Sequence, residues 1–284
     1  MNARSSAGRS VTKSSKSDEW HSVPAAFRTA DGDLPAPWDA LFGPLHTGTV
    51  DDLVVVAQLG QSLDGRIATN SGHSHYINGP AGLDHLHRLR ALVDAVVIGV
   101  RTALVDDPQL TVRRVAGPSP ARVVLDPHGR LSPSARVLAA DGVRRLVVTT
   151  GADRPALPDG VEVVALAAAD GHIAPAAVLA ALAARGLRRV LVEGGARTIS
   201  GFLSAGCLDR LHVLVAPVIL GTGQSSLTLA PIERVDHALR PPTRAYPLGD
   251  EVLFDCDLSA CRVAIGRAKK STCPTTMAER PADT

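Results

Sequence analysis

The chain has 284 residues with 30 Lys and Arg against 28 Asp and Glu, a net charge of +2 that excludes a polyelectrolyte binder, and a length that excludes a miniprotein. Hydrophobic residues at 45% suffice for a large buried core and exclude wholesale disorder, while aromatics at 3% are too few for a surface that stacks successive bases of single-stranded nucleic acid. An ordinary soluble enzyme of one or two domains is the default.

Residues 1–17, MNARSSAGRSVTKSSKS, are Ser-rich and basic and bury too little apolar surface to offset the entropy of ordering. They read as a flexible tail without the apolar core of a signal peptide. Residues 18–52 hold both tryptophans, several Pro and Gly and no clear periodicity, and read as an arm packed on the body. From 53 to 258, short apolar runs alternate with helical patterns. LVVVAQL, AVVIGV, RVVLD, LVVTT, VEVVAL, RVLVE and LHVLVAP read as buried strands. Pro80 opens a helix with an apolar stripe of Leu83, Leu86, Leu89 and Val93; Ala176–Arg185 forms a second, and a third follows Gly195. This alternation predicts one α/β domain with helices on both faces of a sheet. Residues 259–284 read as a second tail.

No apolar run approaches the roughly 18–20 residues a membrane helix needs, since Asp94 and Pro217 interrupt the longest candidates. Cys207, Cys256, Cys261 and Cys273 are too sparse for a disulfide framework and lack zinc-site spacing, so inert thiols in a reduced cytoplasm are expected. His73, His75, His85 and His87 form two HxH pairs, but that spacing puts paired side chains on different helix faces, unlike HExxH. No metal site is expected.

Three segments are candidates for chemistry. In RVLVEGGARTISGFLSAG a buried strand ends at Glu193, two glycines follow and a helix begins; such a junction lets backbone approach a ligand and offers free amides to phosphate. A tight turn that simply needs glycine is the alternative, and neither a Rossmann fingerprint nor a Walker lysine is present. SLDGRIATNSGHSHYINGP places Ser62, Asp64, Gly65, Ser74 and Tyr76 just beyond a strand, where α/β proteins put ligands, although Asp64 with Gly65 equally makes a turn. GVRTALVDDPQLTVRR gathers Thr102, Asp106, Asp107, Arg113 and Arg114; with Arg90, its arginines are plausible anion holders.

The segments SLDGRIA (62–68), HSHYINGP (73–80), HRLRALVDAVVIGVRTALVDDPQLTVR (87–113), VLVEGGARTISGFLSAGCLDRL (190–211) and APVILGTG (216–223) together resemble the pyrimidine-reductase family of riboflavin biosynthesis, equivalent to the C-terminal domain of the bifunctional RibD deaminase-reductase. The resemblance covers about residues 53–258. It implies a three-layer dihydrofolate-reductase-like α/β fold, a mostly parallel mixed sheet with helices on both faces, usually as a homodimer. It also implies NADPH-dependent reduction of the ribose of 5-amino-6-(5-phosphoribosylamino)uracil to a ribityl chain, with no membrane or nucleic-acid partner. Carried over, Ser74, Arg90, Leu110, Arg113 and Glu193 surround the substrate, whereas Gly60, Tyr76, Thr102, Asp106, Gly194, Gly195, Ala196, Arg197, Thr198, Ile199, Ser200 and Gly201 face the cofactor. Glu193 is the first choice for the polar group at the reacting carbon, Asp64 the second. Tyr76 stands where relatives often carry Trp, Gln58 where many bacterial members carry Lys, and Arg210 where an acidic residue is common. The HAE and PCxxC signature of the deaminase half is missing from this sequence. Two alternatives remain: a same-fold reductase of another pyrimidine or pterin, and a regulatory protein that binds the dinucleotide without oxidising it.

Overall fold

The computed structural model describes residues 20–29, 33–46, 48, 50–75, 77–151, 156–169 and 171–266. The expectations for the tail 1–17, for Tyr76 and for residues past 266 lie outside the described residues.

The short helices α1 (Val23–Ala26) and α2 (Trp38–Phe42) belong to the arm. They precede β1 (Val54–Ser62), β2 (Arg66–Thr69), α3 (Pro80–Leu92), β3 (Ala95–Gly99), α4 (Val100–Asp106), β4 (Ala121–Leu125), β5 (Arg145–Thr149) and β6 (Val161–Ala165). After the two-residue strands β7 (Ala168–Ala169) and β8 (His172–Ile173) come α5 (Pro175–Ala183), β9 (Arg189–Glu193), α6 (Ala196–Ser204), β10 (Arg210–Ala216), β11 (Gly223–Ser225), β12 (Thr243–Leu248) and β13 (Glu251–Asp257). Among the described residues, nine strands join in one sheet, ordered β12-β13-β10-β1-β9-β3-β4-β5-β6. The run from β10 to β6 is parallel, and the β12–β13 hairpin adds antiparallel to its edge. This is the mostly parallel mixed sheet the sequence predicts.

Parallel strands covered on both faces read as continuous apolar runs because alternate residues enter different cores. In β1, Val54 and Val56 join the core that contains Leu89 and Leu92 of α3 and the arm's Trp20, Trp38 and Phe42. Val55, Ala57 and Leu59 join the other, with Val178, Leu179 and Leu182 of α5 and Ile199 and Phe202 of α6. β3 divides likewise, Val96 and Ile98 from Ala95 and Val97.

Helix α3 begins at Pro80, whose fixed φ suits a first helical position. Its N-cap Gly79 has no side chain to bond the free amides, and Glu251 of β13 supplies the cap instead: its carboxylate accepts from the Gly79 amide at 3.0 Å and the Gly82 amide at 3.2 Å.

Three features depart from the sequence reading. The β12–β13 hairpin was not among the predicted strands, because EVLFDCD mixes acidic with apolar residues and Pro247 interrupts β12. Its Asp255 is buried and held by Arg210 and His212, so Arg210 is an internal ion-pair partner. The packed body also runs past 258: the Val263 amide donates to Gly206 O at 2.9 Å, and the buried Arg262 lies 3.4 Å from Asp209. Cys207 and Cys256 are free thiols, but Cys261 is disulfide-bonded, which corrects the expectation of four inert thiols; a single bridge needs no framework.

Candidate active site

A cleft of about 590 Å³ opens toward the carboxyl ends of β1, β3 and β9. Its floor is Gln58, Leu59 and Gly60 of β1 with Ile98 of β3; α3 forms one wall through Leu83, Leu86 and Arg90, and the β2–β11 ribbon another through Ile67, Ala68 and Gln224. Pockets of this size, concave and mixed in polarity, are typical ligand sites.

At its base Arg90 and Glu193 form a two-pronged ion pair. Arg90 Nε donates to Glu193 Oε1 at 2.7 Å and Nη2 to Oε2 at 2.6 Å, while Nη1 donates to Thr111 O at 3.2 Å. Both side chains are buried. The geometry is the planar fork that guanidinium and carboxylate favour, so each fixes the other's orientation. The Glu193 charge holds the Arg90 guanidinium above its ordinary range, against the burial that pulls it down.

Beyond Glu193 the backbone turns through Gly194 at φ +64° and Gly195 at φ +60°, the left-handed region that favours glycine. A Cβ on Gly194 would sit 2.8 Å from Thr102 Cγ2, and one on Gly195 2.9 Å from Thr102 Oγ1. The turn is therefore pressed on α4, and helix α6 starts directly from it. Thr198 and Ile199 make the first intrahelical bonds, to Gly195 O, so the amides of Ala196 and Arg197 precede the ladder, and Ala196 lines the cleft.

The structure gathers most of the predicted residues. Gly60, Ser74, Arg90, Thr102, Asp106, Leu110, Glu193, Gly194, Gly195, Ala196 and Ile199 all line this one cleft. Leu110 does so with φ +55°, an uncommon backbone for a branched residue. Burial pushes the Asp106 carboxyl above its ordinary range, with His75 acting in the opposite sense.

Other predicted residues stand apart from the lining. Asp64 is spent on a loop clamp: it accepts from the Ser62 hydroxyl at 2.6 Å, the Leu220 amide at 3.1 Å and the Gly221 amide at 2.7 Å. Those bonds, the Ser62 hydroxyl foremost, lower it to about 2. Asp64 is therefore not among the residues that line the cleft, and the structure does not bring this second candidate to the Arg90–Glu193 pair. Arg113 is exposed, with its amide donating to His87 Nδ1 at 3.1 Å, yet near enough for the charges of Arg90 and Glu193 to act on it. Arg197 lies 3.4 Å from His172 Nε2, Thr198 packs beneath Gly99, Ser200 accepts from the Thr228 amide at 2.9 Å, and Gly201 is exposed.

Sequence reasoning missed Asn78, Gln224 and Ser226. Asn78 donates to Glu251 at 2.9 Å, and its amide fills the space a Gly60 Cβ would need. The signal for Gln224 and Ser226 was GTG (221–223): a Cβ on Gly223 would strike Ala68 O, so that glycine lets β11 lie against β2 as a cleft wall.

The RibD C-terminal domain description matches residues 54–241. The chain is 35% identical over 213 residues to the 2,5-diamino-6-ribosylamino-4(3H)-pyrimidinone 5′-phosphate reductase of Methanothermobacter thermautotrophicus, covering 71% of this chain and 96% of that relative. It is 36% identical over 169 residues to the riboflavin biosynthesis protein RibD of Aquifex aeolicus, covering 58% of this chain and 46% of that protein. A crystal structure of the Thermotoga maritima diaminohydroxyphosphoribosylaminopyrimidine deaminase/5-amino-6-(5-phosphoribosylamino)uracil reductase superposes with a TM-score of 0.63 at 29% identity, over 72% of this chain and 56% of that one. The chain thus spans about half the length of such bifunctional relatives and nearly all of the archaeal one. With its two-core parallel sheet and its Glu193–glycine turn set in the matched region, the protein belongs to the RibD C-terminal domain family of riboflavin-pathway reductases.

Proposed function

We propose that this protein uses NADPH to reduce the ribosyl group of 5-amino-6-(5-phosphoribosylamino)uracil to a ribityl chain. The observation that carries the reading is the convergence of the Arg90–Glu193 pair, the Gly194–Gly195 turn and Thr102 on one cleft. The chain's own groups fit a dinucleotide. The amides of Ala196 and Arg197 at the start of α6 suit its diphosphate, and Thr102 and Asp106 flank the same side of the cleft. When bound, NADPH supplies the hydride, and the protein contributes placement and exclusion of water.

In this reading Glu193, fixed by Arg90, accepts hydrogen bonds from the sugar and sets C1′ against the hydride donor. Ser74 and Leu110 complete the substrate wall. Arg90 has three of its N–H groups committed, so it contributes to phosphate recognition with the remaining two, and Arg113 supplies the freer charge at the rim. Ring opening of the sugar delivers a proton to its ring oxygen. Asp106 is the cleft carboxyl best placed to carry that proton, since partial desolvation raises its proton affinity above that of an ordinary carboxylate. The test is NADPH oxidation with this substrate and with its dephosphorylated form: turnover of the first alone supports the assignment, and turnover of neither overturns it.

The archaeal relative, matched over 96% of its length, favours a second reading in which the pyrimidine ring still carries its 2-amino group. Rates with the two pyrimidines side by side separate these readings.

The reading includes a homodimer in the cytoplasm. No helix among the described residues is long and apolar enough to cross a membrane. Val252 and Phe254 of β13, both 37% exposed, stand on one face of the sheet edge with their cross-strand neighbours Val215, Val213, Pro247 and Ala245. An apolar face of this kind suits a second copy of the chain.

A further inference from the structure

The arm lies outside the matched span of 54–241, and the proposed function assigns it nothing. Its contacts concentrate on α3. Phe42 stacks on His85 with ring centroids 5.6 Å apart and planes 15° apart. The Arg88 guanidinium sits 4.6 Å from the Trp38 ring and 5.6 Å from Trp20, which itself packs edge-on against Trp38 at 5.2 Å. Arg28 donates to Ala91 O at 3.3 Å. The arm is tied down elsewhere: Trp20 Nε1 donates to Ala116 O at 2.8 Å, and the Tyr246 hydroxyl donates to Ala40 O at 3.0 Å.

Helix α3 therefore presents different faces to different neighbours. His85, Arg88 and Ala91, spaced three apart, meet the arm, whereas Leu86 and Arg90 meet the cleft. The helix also grips the sheet at two points. Glu193, Gln58 and His212 are successive cross-strand neighbours, and α3 holds the ends of that row, Arg90 on Glu193 and His85 on His212 at 3.0 Å. Gln58 lies between them in the cleft floor. Any rotation of α3 about its axis moves the Arg90 grip, and with it Glu193. The aromatic stack on His85 and Arg88 opposes that rotation, since stacked rings and a guanidinium over an indole face each favour one geometry.

We propose that the arm segments 20–29 and 33–46 act as a positioning strap for the reductase site, fixing α3 so that Arg90 holds Glu193 toward the substrate. This rests on the reductase reading above. The cofactor side is built differently, by the start of α6 against Thr102, and takes its position from β9 and β3. Trp38 and Phe42 meet α3 through Arg88 and His85, whereas the arm's contact with β9 runs through Phe27 and Arg189, so loss of either ring acts on the pyrimidine substrate ahead of NADPH.

The test uses the full chain with Trp38→Ala, Phe42→Ala and the conservative Trp38→Phe, measuring kcat and KM for 5-amino-6-(5-phosphoribosylamino)uracil and Kd for NADPH well below each variant's Tm. Displacements near 1 Å at a reacting centre cost up to about a hundredfold in rate, so kcat/KM is expected to fall about tenfold or more in the alanine variants. NADPH Kd should stay within about twofold of the parent, and Trp38→Phe should recover most of the loss. A lower Tm with unchanged kcat and KM, or a parallel loss of NADPH affinity, overturns the strap. Should the alanine variants not fold, Arg88→Met, which keeps the helix stem but removes the cation from the indole faces, decides on the same readouts. An unmodified protein that turns over neither pyrimidine defeats the reductase reading; one that turns over substrate while the variants match it defeats the strap alone.

Discussion

Replacing Arg90 by Met tests the Arg90–Glu193 pair at the base of the cleft. The substitution keeps most of the apolar stem and removes the guanidinium, leaving Glu193, 5% exposed, as an uncompensated buried charge. Breaking a buried pair by deleting one partner typically costs about 3–5 kcal/mol, because the survivor has lost both water and its counter-charge. For a domain of this size each kcal/mol lowers Tm by about 2–4 °C, so a fall of roughly 6–20 °C is expected. Urea unfolding at pH 7, followed by circular dichroism, measures the loss. The double variant Arg90→Met/Glu193→Gln, which removes the stranded charge, should be more stable than the single one, the mark of direct coupling. A single-variant loss below about 1 kcal/mol, the range of a surface pair, would refute the buried two-pronged geometry.

Gly195→Val forces a branched residue into φ +60° beside Thr102, and NADPH affinity should fall by at least about tenfold; unchanged affinity would remove the turn from the cofactor site. If Asp106 holds the reacting proton, the rate should decline as pH rises through a value above the ordinary carboxylate range, and Asp106→Asn should abolish that limb. Burial first, then Arg90, Arg113 and Arg114, lower His87 to about 3. The folded state thus disfavours its protonated form, so its contribution to stability is present above about pH 6.5 and is lost as pH falls toward 3. Urea midpoints between pH 7 and 4 should fall less steeply for His87→Gln; an identical slope would contradict the burial argument. Phe254→Asp should convert a dimer to monomer in light scattering, and an unchanged mass would place the interface elsewhere.

The parallel core was legible because β1, β3, β4, β5, β9 and β10 are each buried on two faces and so read as uninterrupted apolar runs. The same logic hid β13, where Asp255 is internal only because Arg210 and His212 lie beside it; pairing across strands leaves no local trace. Glu193 and its glycine turn were legible from strand, turn and helix signals in one segment. Asp64 was ambiguous in sequence because an Asp-Gly turn beyond a strand looks alike whether it meets a ligand or the amides of Leu220 and Gly221, more than 150 residues away, which it accepts from here. The commitment of Arg90 to Glu193 was equally unreadable, since the partners are 103 positions apart.

The most direct test of the account is transfer of label. NADPH carrying deuterium at both positions of the reactive ring carbon should place one deuterium on C1′ of the ribityl product, read by mass and NMR after a single turnover. Product without label at that carbon, or bound dinucleotide that stays reduced with either pyrimidine, would contradict it.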